Sequence, residues 1–500
     1  MFLLLKKLYK IGLISPLGFL RFVWSLASEG TNLMALLKFS AGKYVNKIAV
    51  FDEKENVSYQ ELYLQSKNLA ANLQQKFGLE KGNKAAFLCR GHADFIRAVC
   101  AASRIGVRIF LLNPEMTAEQ LSALLERHKF DFIFYDDEAK NLINSGLKAK
   151  VFAVNEQTKY LESTSNSKIK RAFSGEIIVL TGGTTGTPKT ARRKSSVFKF
   201  LNPFFALLTQ LNLDEYQSVY IATPAFHGFG IAAIIIGIIL GETMYFLPRF
   251  NAEKACKLIE KYQIEVVTVV PLMLQRMLRF DENSLKSLKC IISGGAKLEP
   301  SLAIETLEKL GDIIFNLYGT SEAGFSVIAK PEDLRAKPET IGRKIGGVNL
   351  KILDENDNEL PNGKIGRICI KSVWAVKNGK DFVETGDLGF QDENGFLFLR
   401  GRDDEMIVSG GENVYPIELE NILGKHPSVH QVAVKGIPDS EFGQRLKAFV
   451  VLRTNEKLSE SEIKNWLQSR VARFQMPAKI EFLDELPTTA IGKINKKALK

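Results

Sequence analysis

A chain of 500 residues is too long for one ordinary domain, and with 45% hydrophobic and 25% charged residues it is neither disordered nor fibrous. Sixty-seven Lys and Arg against 56 Asp and Glu leave a net charge of +11, which favours anionic partners; the lysines are dispersed and no nucleic-acid-binding signature accompanies them, so nucleic acid is not expected. The five cysteines form no CxxC pair and the five histidines no metal-ligand cluster, a pattern of buried thiols in a reducing, cytoplasmic compartment.

Residues 1–45 begin "MFLLLKKLYKIGLISPLGFLRFVWSLASEG". Lys6, Lys7, Lys10 and Arg21 interrupt the apolar residues, so no spanning helix is expected, and the order of a signal peptide is absent. Two readings stand side by side: a basic amphipathic segment on an anionic membrane surface, or a helix packed on the body of the protein. From residue 46 onward, "KAAFLCR", "RIFLLN", "DFIFYDD", "EIIVLTGG", "SVYIATP", "VVTVVP" and "CIISGG" read as short buried strands. "YQELYLQSKNLAANLQQKF" and "AEKACKLIEKYQI" read as the helices between them. "GIAAIIIGIILG" is too short to span a bilayer and reads as a buried helix. This alternation predicts an α/β layered fold of βαβ subdomains with largely parallel sheets. Beyond about residue 340, "KILDENDNELPNGKIGRICIK" and "FQDENGFLFLRGR" are strands joined by Asp/Asn/Gly turns, hence a small β-rich subdomain built from hairpins. After Arg402 the pattern predicts a compact α+β module that closes with a helix.

One stretch raises a chemical question. Thr181–Thr190 reads "TGGTTGTPKT" directly after a strand. Gly182, Gly183 and Gly186 permit close backbone approach, Thr184, Thr185 and Thr187 supply hydroxyls, and Lys189 supplies a mobile charge. The adjacent Gly-Lys step of a P-loop is missing, because Pro188 intervenes and removes an N–H donor. The residues point to polyphosphate; the plain alternative is a solvated turn.

The stretch resembles the phosphate loop of the adenylate-forming superfamily, which includes acyl-CoA synthetases, aryl-CoA ligases, luciferases and peptide-synthetase adenylation domains. Further similar motifs follow in order: "PAFHGFG" at 224–230, "ISGGAKLEP" at 292–300, "LYGTSEAG" at 317–324, "ETGDLGFQDENGFLFLRGRDDEMIVSGGENVYPIELE" at 384–420 and "LPTTAIGKINKKAL" at 486–499. The resemblance covers roughly residues 50–499 and implies an adenylation domain at 46–401, a hinge at 402–404 and a mobile α+β domain at 405–500. It implies two steps: a carboxylic acid and ATP give an acyl-adenylate and pyrophosphate, and the acyl group then passes to a thiol.

The roles implied follow the motifs. Lys493 is the catalytic cation; its plain alternative is one lysine of a basic tail. Glu322 holds Mg²⁺, and Ser321 stands where Thr is usual. Thr181, with the loop glycines, threonines and Lys189, clamps the phosphates; Gly182 stands where relatives often have Ser. Tyr318 packs on adenine, with Gly319, Thr320, Gly295 and Ala296 around the nucleotide, while Asp387 and Arg402 serve the ribose. His227 gates the acid, and Phe226, Phe229, Val269, Val270, Gly294 and Ala323 line the acyl pocket. Asp404 is the hinge; rotation there withdraws Lys493 and brings Gly410 and Gly411 forward as a thiol channel. Coenzyme A is the expected acceptor, with Phe442 and Phe474 near its adenine and Lys479 near a phosphate.

The pocket carries no Asp for an amino-acid ammonium in "PAFHGFG". The apolar amino terminus and "PKTARR" resemble fatty-acyl-CoA synthetases more than aryl ligases, and the resemblance implies a medium- or long-chain fatty acid as substrate. The alternatives are an aryl-CoA ligase, an acyl-carrier-protein ligase and, more remotely, a non-catalytic membrane-associated adenylate-binding protein. Cytoplasmic placement, with peripheral contact at the inner face of a membrane, completes the expectation.

Overall fold

The computed structural model describes residues 2–143, 149–162, 176–181, 189–190, 200–377, 379–402, 405–409, 412–439, 442–489 and 492–500. The chain divides into two compact units, Met1–Val269 with Arg276–Ile292, and Val270–Gln275 with Ser293–Lys500.

The first unit is layered α/β. One sheet runs in the order Val266–Val269, Ser218–Ile221, Thr243–Tyr245, Ile48–Phe51, all parallel, with Asn56–Ser58 antiparallel at the edge. The second sheet runs Lys150–Ala153, Phe132–Tyr135, Lys84–Leu88, Arg108–Leu111, Ile177–Thr181, also parallel. These are the predicted apolar runs, and strands such as Lys84–Leu88 are buried on both faces, as helix-covered parallel sheets require. The helices begin and end where capping chemistry dictates. Tyr59–Phe77 starts with a Ser58–Glu61 capping box and stops at Gly78 in the left-handed region, φ 69°. Gly228–Leu240 is the predicted apolar helix, too short to cross a bilayer.

The end of Ile177–Thr181 folds back on the two-residue strand Lys189–Thr190, with Thr181 opposite Lys189. Residues 182–188 lie outside the described residues, as do the roles expected for Gly182, Gly183, Thr184, Thr185, Gly186 and Thr187.

The second unit carries an antiparallel sheet in the order Asn349–Leu353, Gly366–Lys371, Val383–Gln391, Leu397–Arg402, Thr340–Lys344, Gly324–Ala329, Ile314–Thr320. Both predicted hairpins are present. The last hundred or so residues form a smaller sheet, Glu412–Val414, Ile407–Ser409, Gly443–Leu452 and Val429–Asp439, packed on the helices Pro416–Leu423 and Glu460–Leu467. The expected closing helix is not the end of this module. Lys479–Phe482 follows it and adds a strand parallel to Gly443–Leu452. Four residues, "KIEF", half of them charged, give too little apolar alternation to announce a strand.

Candidate active site

The second unit brings four expected residues together. Asp387 and Arg402 stand on adjacent strands as direct cross-strand partners, so hairpin register alone makes them neighbours. The Arg402 guanidinium donates to Asp387 Oδ1 at 3.1 Å and to the Thr385 carbonyl at 3.4 Å. Between these two acceptors, Gly386 has φ +75°, and a Cβ there would lie 2.9 Å from Arg402 Nη2. Glycine thus meets both the backbone and the space requirement. The Tyr318 hydroxyl, from strand Ile314–Thr320, donates to Asp387 Oδ2 at 2.6 Å. Each carboxylate oxygen holds one donor and keeps lone pairs for further donors such as sugar hydroxyls.

Burial holds the Asp387 carboxyl above the usual carboxylate range, against the opposing pull of Tyr318, Arg402 and Lys493. Burial likewise pushes the Tyr318 hydroxyl well up, with the Asp387 charge adding to it. Thr385 organises this group and is not singled out by sequence reading. Its Oγ1 accepts from the Asp387 amide at 3.2 Å and donates to the Ile368 carbonyl at 2.9 Å. Its position two residues before Asp387 in "ETGD" was the available signal.

Lys493 reaches the same cluster from the carboxy terminus. Thr488 and Ile494 pair across a tight turn, and the Thr489 amide donates to the Lys493 carbonyl at 2.7 Å. The Lys493 amide donates to Thr489 Oγ1 at 3.2 Å, and Gly492, φ +75°, donates to the Thr489 carbonyl at 2.8 Å. The lysine is therefore mounted on a braced hairpin and not on a free tail. Desolvation holds its ammonium below the ordinary lysine range, with Arg402 adding to this and Asp387 opposing. Neighbouring Lys496 acts elsewhere. It bridges Glu405 and Glu420 at 2.9 Å each, tying the carboxy-terminal segment to the residues just before strand Ile407–Ser409 and to the helix Pro416–Leu423. Those partners are far away in sequence, so nothing local marked Lys496.

Glu322 sits at the tip of the hairpin between Ile314–Thr320 and Gly324–Ala329, where Thr320 faces Gly324. Its carbonyl accepts from the Val376 amide at 2.9 Å, which fixes the tip and leaves the carboxylate to point independently. Thr320 Oγ1 accepts from the Ala323 amide at 3.1 Å. Ser321 lies in the same turn. Gly319 approaches the Gly324 carbonyl so closely that a Cβ would lie at 2.5 Å. Ala323 has no exposed surface, so it packs the turn from beneath. Gly294 closes the buried strand Cys290–Gly294, and Gly295 follows with φ +78°, beside buried Val270 and ahead of Ala296. Among the described residues no three His, Cys, Asp or Glu side chains form a metal cage.

In the first unit, Phe226 is buried, and His227 caps the helix Gly228–Leu240 by accepting from the Phe229 amide at 3.5 Å. Val269 is fully buried at the end of its strand. Thr181 and Lys189 face each other as backbone partners at the base of the glycine loop.

Of the residues expected to serve coenzyme A, some stand near one another. Ser409 pairs with Gly443, so Phe442 stands beside the end of the strand Ile407–Ser409. The Arg445 guanidinium lies over the Phe442 ring at 5.4 Å and donates to the Met476 carbonyl, which brings the short helix Arg473–Gln475 and its exposed Phe474 to this end. Lys479 pairs with Lys447, further along the sheet. Asp404, Gly410 and Gly411 lie outside the described residues.

The structure thus gathers a buried carboxylate held by Tyr318 and Arg402, a half-buried lysine whose charge acts on it, and, on a hairpin tip of the same unit, the carboxylate of Glu322. Sequence comparison carries this further. Residues 37–378 match the AMP-binding enzyme family, and residues 418–493 match the AMP-binding enzyme C-terminal domain. A 2-succinylbenzoate–CoA ligase of Bacillus licheniformis is 28% identical over 475 residues, covering 92% of this chain and 97% of the relative. The fatty acid–[acyl-carrier-protein] ligase ScoC of Streptomyces coeruleorubidus is 27% identical, covering 90% and 92%. Among solved structures, the o-succinylbenzoate CoA synthetase MenE of Bacillus subtilis, in complex with its acyl-adenylate intermediate OSB-AMP, superposes with a TM-score of 0.81 at 28% identity, covering 93% and 97%.

The chain belongs to the AMP-binding enzyme family. It is an AMP-forming acid–thiol ligase of the acyl-CoA synthetase type: a carboxylic acid is activated with ATP to an acyl-adenylate and then transferred to coenzyme A.

Proposed function

We propose that the acid is an aromatic carboxylic acid of the 2-succinylbenzoate kind. The observation that carries this reading is the match, over nearly the full length of both chains, to 2-succinylbenzoate–CoA ligases. It favours the aryl alternative over the medium- or long-chain fatty acid expected from the amino terminus. The small residues Gly294 and Gly295 suit it, because a flat ring can lie against backbone that carries no side chain. The match to ScoC keeps a fatty acid with a carrier-protein acceptor as the second reading.

In the first step a carboxylate oxygen bonds to the α-phosphorus, and the bond from that phosphorus to the bridging β-oxygen breaks, releasing pyrophosphate. Both reactants are anions, so the barrier is largely electrostatic. Lys493 supplies the positive charge, and its partial desolvation strengthens the effect. Asp387, held by Tyr318 and Arg402, accepts the ribose hydroxyls and fixes the nucleotide. The loop at 181–189 clamps the departing phosphates. Glu322 would hold Mg²⁺, whose preference for hard oxygen donors suits a carboxylate beside phosphates, and the ion would supply positive charge against the phosphate oxygens. In the second step the thiol sulfur bonds to the acyl carbon and AMP leaves. We assign this step to the rotated domain 405–500, turning at 402–404 about Asp404 relative to 46–401, with Gly410 and Gly411 at the thiol and Phe442, Phe474 and Lys479 along coenzyme A. His227, Phe226 and Phe229 belong to the acid side.

The test is coenzyme A thioester formation across benzoate-type, medium-chain and long-chain acids. The reading expects kcat/KM for the best aryl acid to exceed that for every fatty acid by at least about tenfold. A fatty acid in first place would overturn the substrate and leave the ligase chemistry standing.

A further inference from the structure

The first two helices, Phe2–Lys10 and Pro16–Glu29, are built inside out. On the first, Lys7 faces inward, 5% exposed, and its ammonium lies 2.5 Å from Asp214 Oδ1; Lys10 joins the other oxygen at 3.0 Å. Phe2 and Tyr9 point outward, 84% and 59% exposed. On the second, the inward positions are Gly18, Ser25 and Glu29. Gly18 packs so tightly that a Cβ would strike the Gly12 carbonyl, and Glu29 is buried with Arg104 at 2.7 Å and Tyr63 at 2.9 Å. The outward stripe of this helix is Leu17, Leu20 and Trp24, 77%, 65% and 66% exposed, at i, i+3, i+7 spacing.

A helix facing water carries its polar residues outward. Here Lys7, Lys10 and Glu29 are paired within the protein while large apolar side chains stand outward beside Lys6, so the outward medium that suits this face is apolar with a polar boundary. Neither helix is long enough to cross a bilayer, and no described helix is. Both therefore lie along the surface they meet. Residues 2–28 hold Lys6, Lys7, Lys10 and Arg21 and no Asp or Glu. Lys7 and Lys10 are already paired with Asp214, but a second copy docking on the same face would set Lys6 and Arg21 against cations with no acid in residues 2–28 to pair them, whereas anionic headgroups would pair with both.

We propose that this face docks the enzyme on an anionic lipid surface, with Leu17, Leu20 and Trp24 entering the acyl boundary and Lys6 and Arg21 at the headgroups. The docking is independent of which acid is activated.

The full chain is mixed with phosphatidylcholine vesicles, with and without phosphatidylglycerol, and bound protein is measured by flotation. The proposal expects binding to the anionic vesicles, weakened by salt, and a blue shift of tryptophan emission that Trp24→Phe removes, since Trp374 is buried and Trp466 packs on His426. The pair Leu20→Glu and Trp24→Glu lowers vesicle partition at least about tenfold and leaves acid-dependent pyrophosphate exchange unchanged, which also shows that the variant folds. Absence of binding to anionic vesicles at low salt overturns the proposal. So does a dimer in solution that these two substitutions dissociate, which would assign the face to a second copy.

Discussion

Asp387 shows how much one residue depends on its surroundings. Two donors and a half-buried lysine converge on a carboxylate that burial alone would leave neutral more readily. Removing the hydroxyl in Tyr318→Phe deletes a donor that favours the ionised form. The carboxyl becomes easier to protonate, so the acid limb of kcat/KM for ATP moves to higher pH. KM for ATP rises about tenfold at neutral pH, the scale of one hydrogen bond to a charged group, and kcat changes little. Steady-state kinetics over a pH series measure both; an unmoved limb would show that Tyr318 serves packing only. Asp387, Arg402 and Lys493, which the structure brings together, could be singled out because they stand in motifs that resemble the family's in residue type and order. Thr385 was not, because a buried hydroxyl that steers a neighbour has no chemistry of its own to announce.

The carboxy-terminal hairpin makes the case at the scale of an element. Gly492 has φ +75°, and a Cβ on it would lie 2.8 Å from Val270 Cγ2. Gly492→Val therefore strains the turn and pushes Lys493 out of register. Pyrophosphate exchange is expected to drop at least about tenfold, while the thermal midpoint moves by no more than a few degrees, because the turn is local. A variant with full exchange would mean that the turn does not position the lysine. The strands of the parallel sheets were legible as apolar runs, and Tyr59–Phe77 was legible at both ends from its caps. Lys479–Phe482 was not, since it is held by its pairing with Gly443–Leu452 and not by its own pattern. Tertiary pairing overrode local preference there.

For the whole molecule, the amino-terminal segment posed two alternatives, a membrane face or a packed helix: its helices Phe2–Lys10 and Pro16–Glu29 are tied to the first unit through Lys7, Lys10 and Glu29 and turn large apolar side chains outward. Helical periodicity marks an amphipathic helix without saying which side faces in, so the inversion needed Asp214 and Arg104 to be seen in place. The boundary between the compact units was also illegible, because the chain returns to the first unit after Gln275 and leaves it again after Ile292. The first unit's core holds one costly group. Burial raises the Glu242 carboxyl to about 8, with Lys47 opposing. A carboxyl raised on folding keeps its proton in the native state while the unfolded chain releases it. Stability is therefore full below the ordinary carboxylate range and is lost as pH rises from about 4.5 towards about 8, with a slope of up to about 1.4 kcal/mol per pH unit. Glu242→Gln should flatten that slope and melt higher than wild type at pH about 8. Melting curves across this range check it; parallel slopes would mean that Glu242 does not titrate on folding.

In the proposed mechanism a lysine carried by the last hairpin activates the acid, and the chain then uses a different arrangement to form the thioester. The most direct measurement compares Lys493→Ala with wild type in two partial reactions: acid-dependent ATP–pyrophosphate exchange, and transfer to coenzyme A from a synthetic acyl-adenylate. Exchange should fall about a hundredfold or more while transfer stays within a few-fold of wild type. Equal loss of both reactions, or exchange that survives the substitution, would contradict the account.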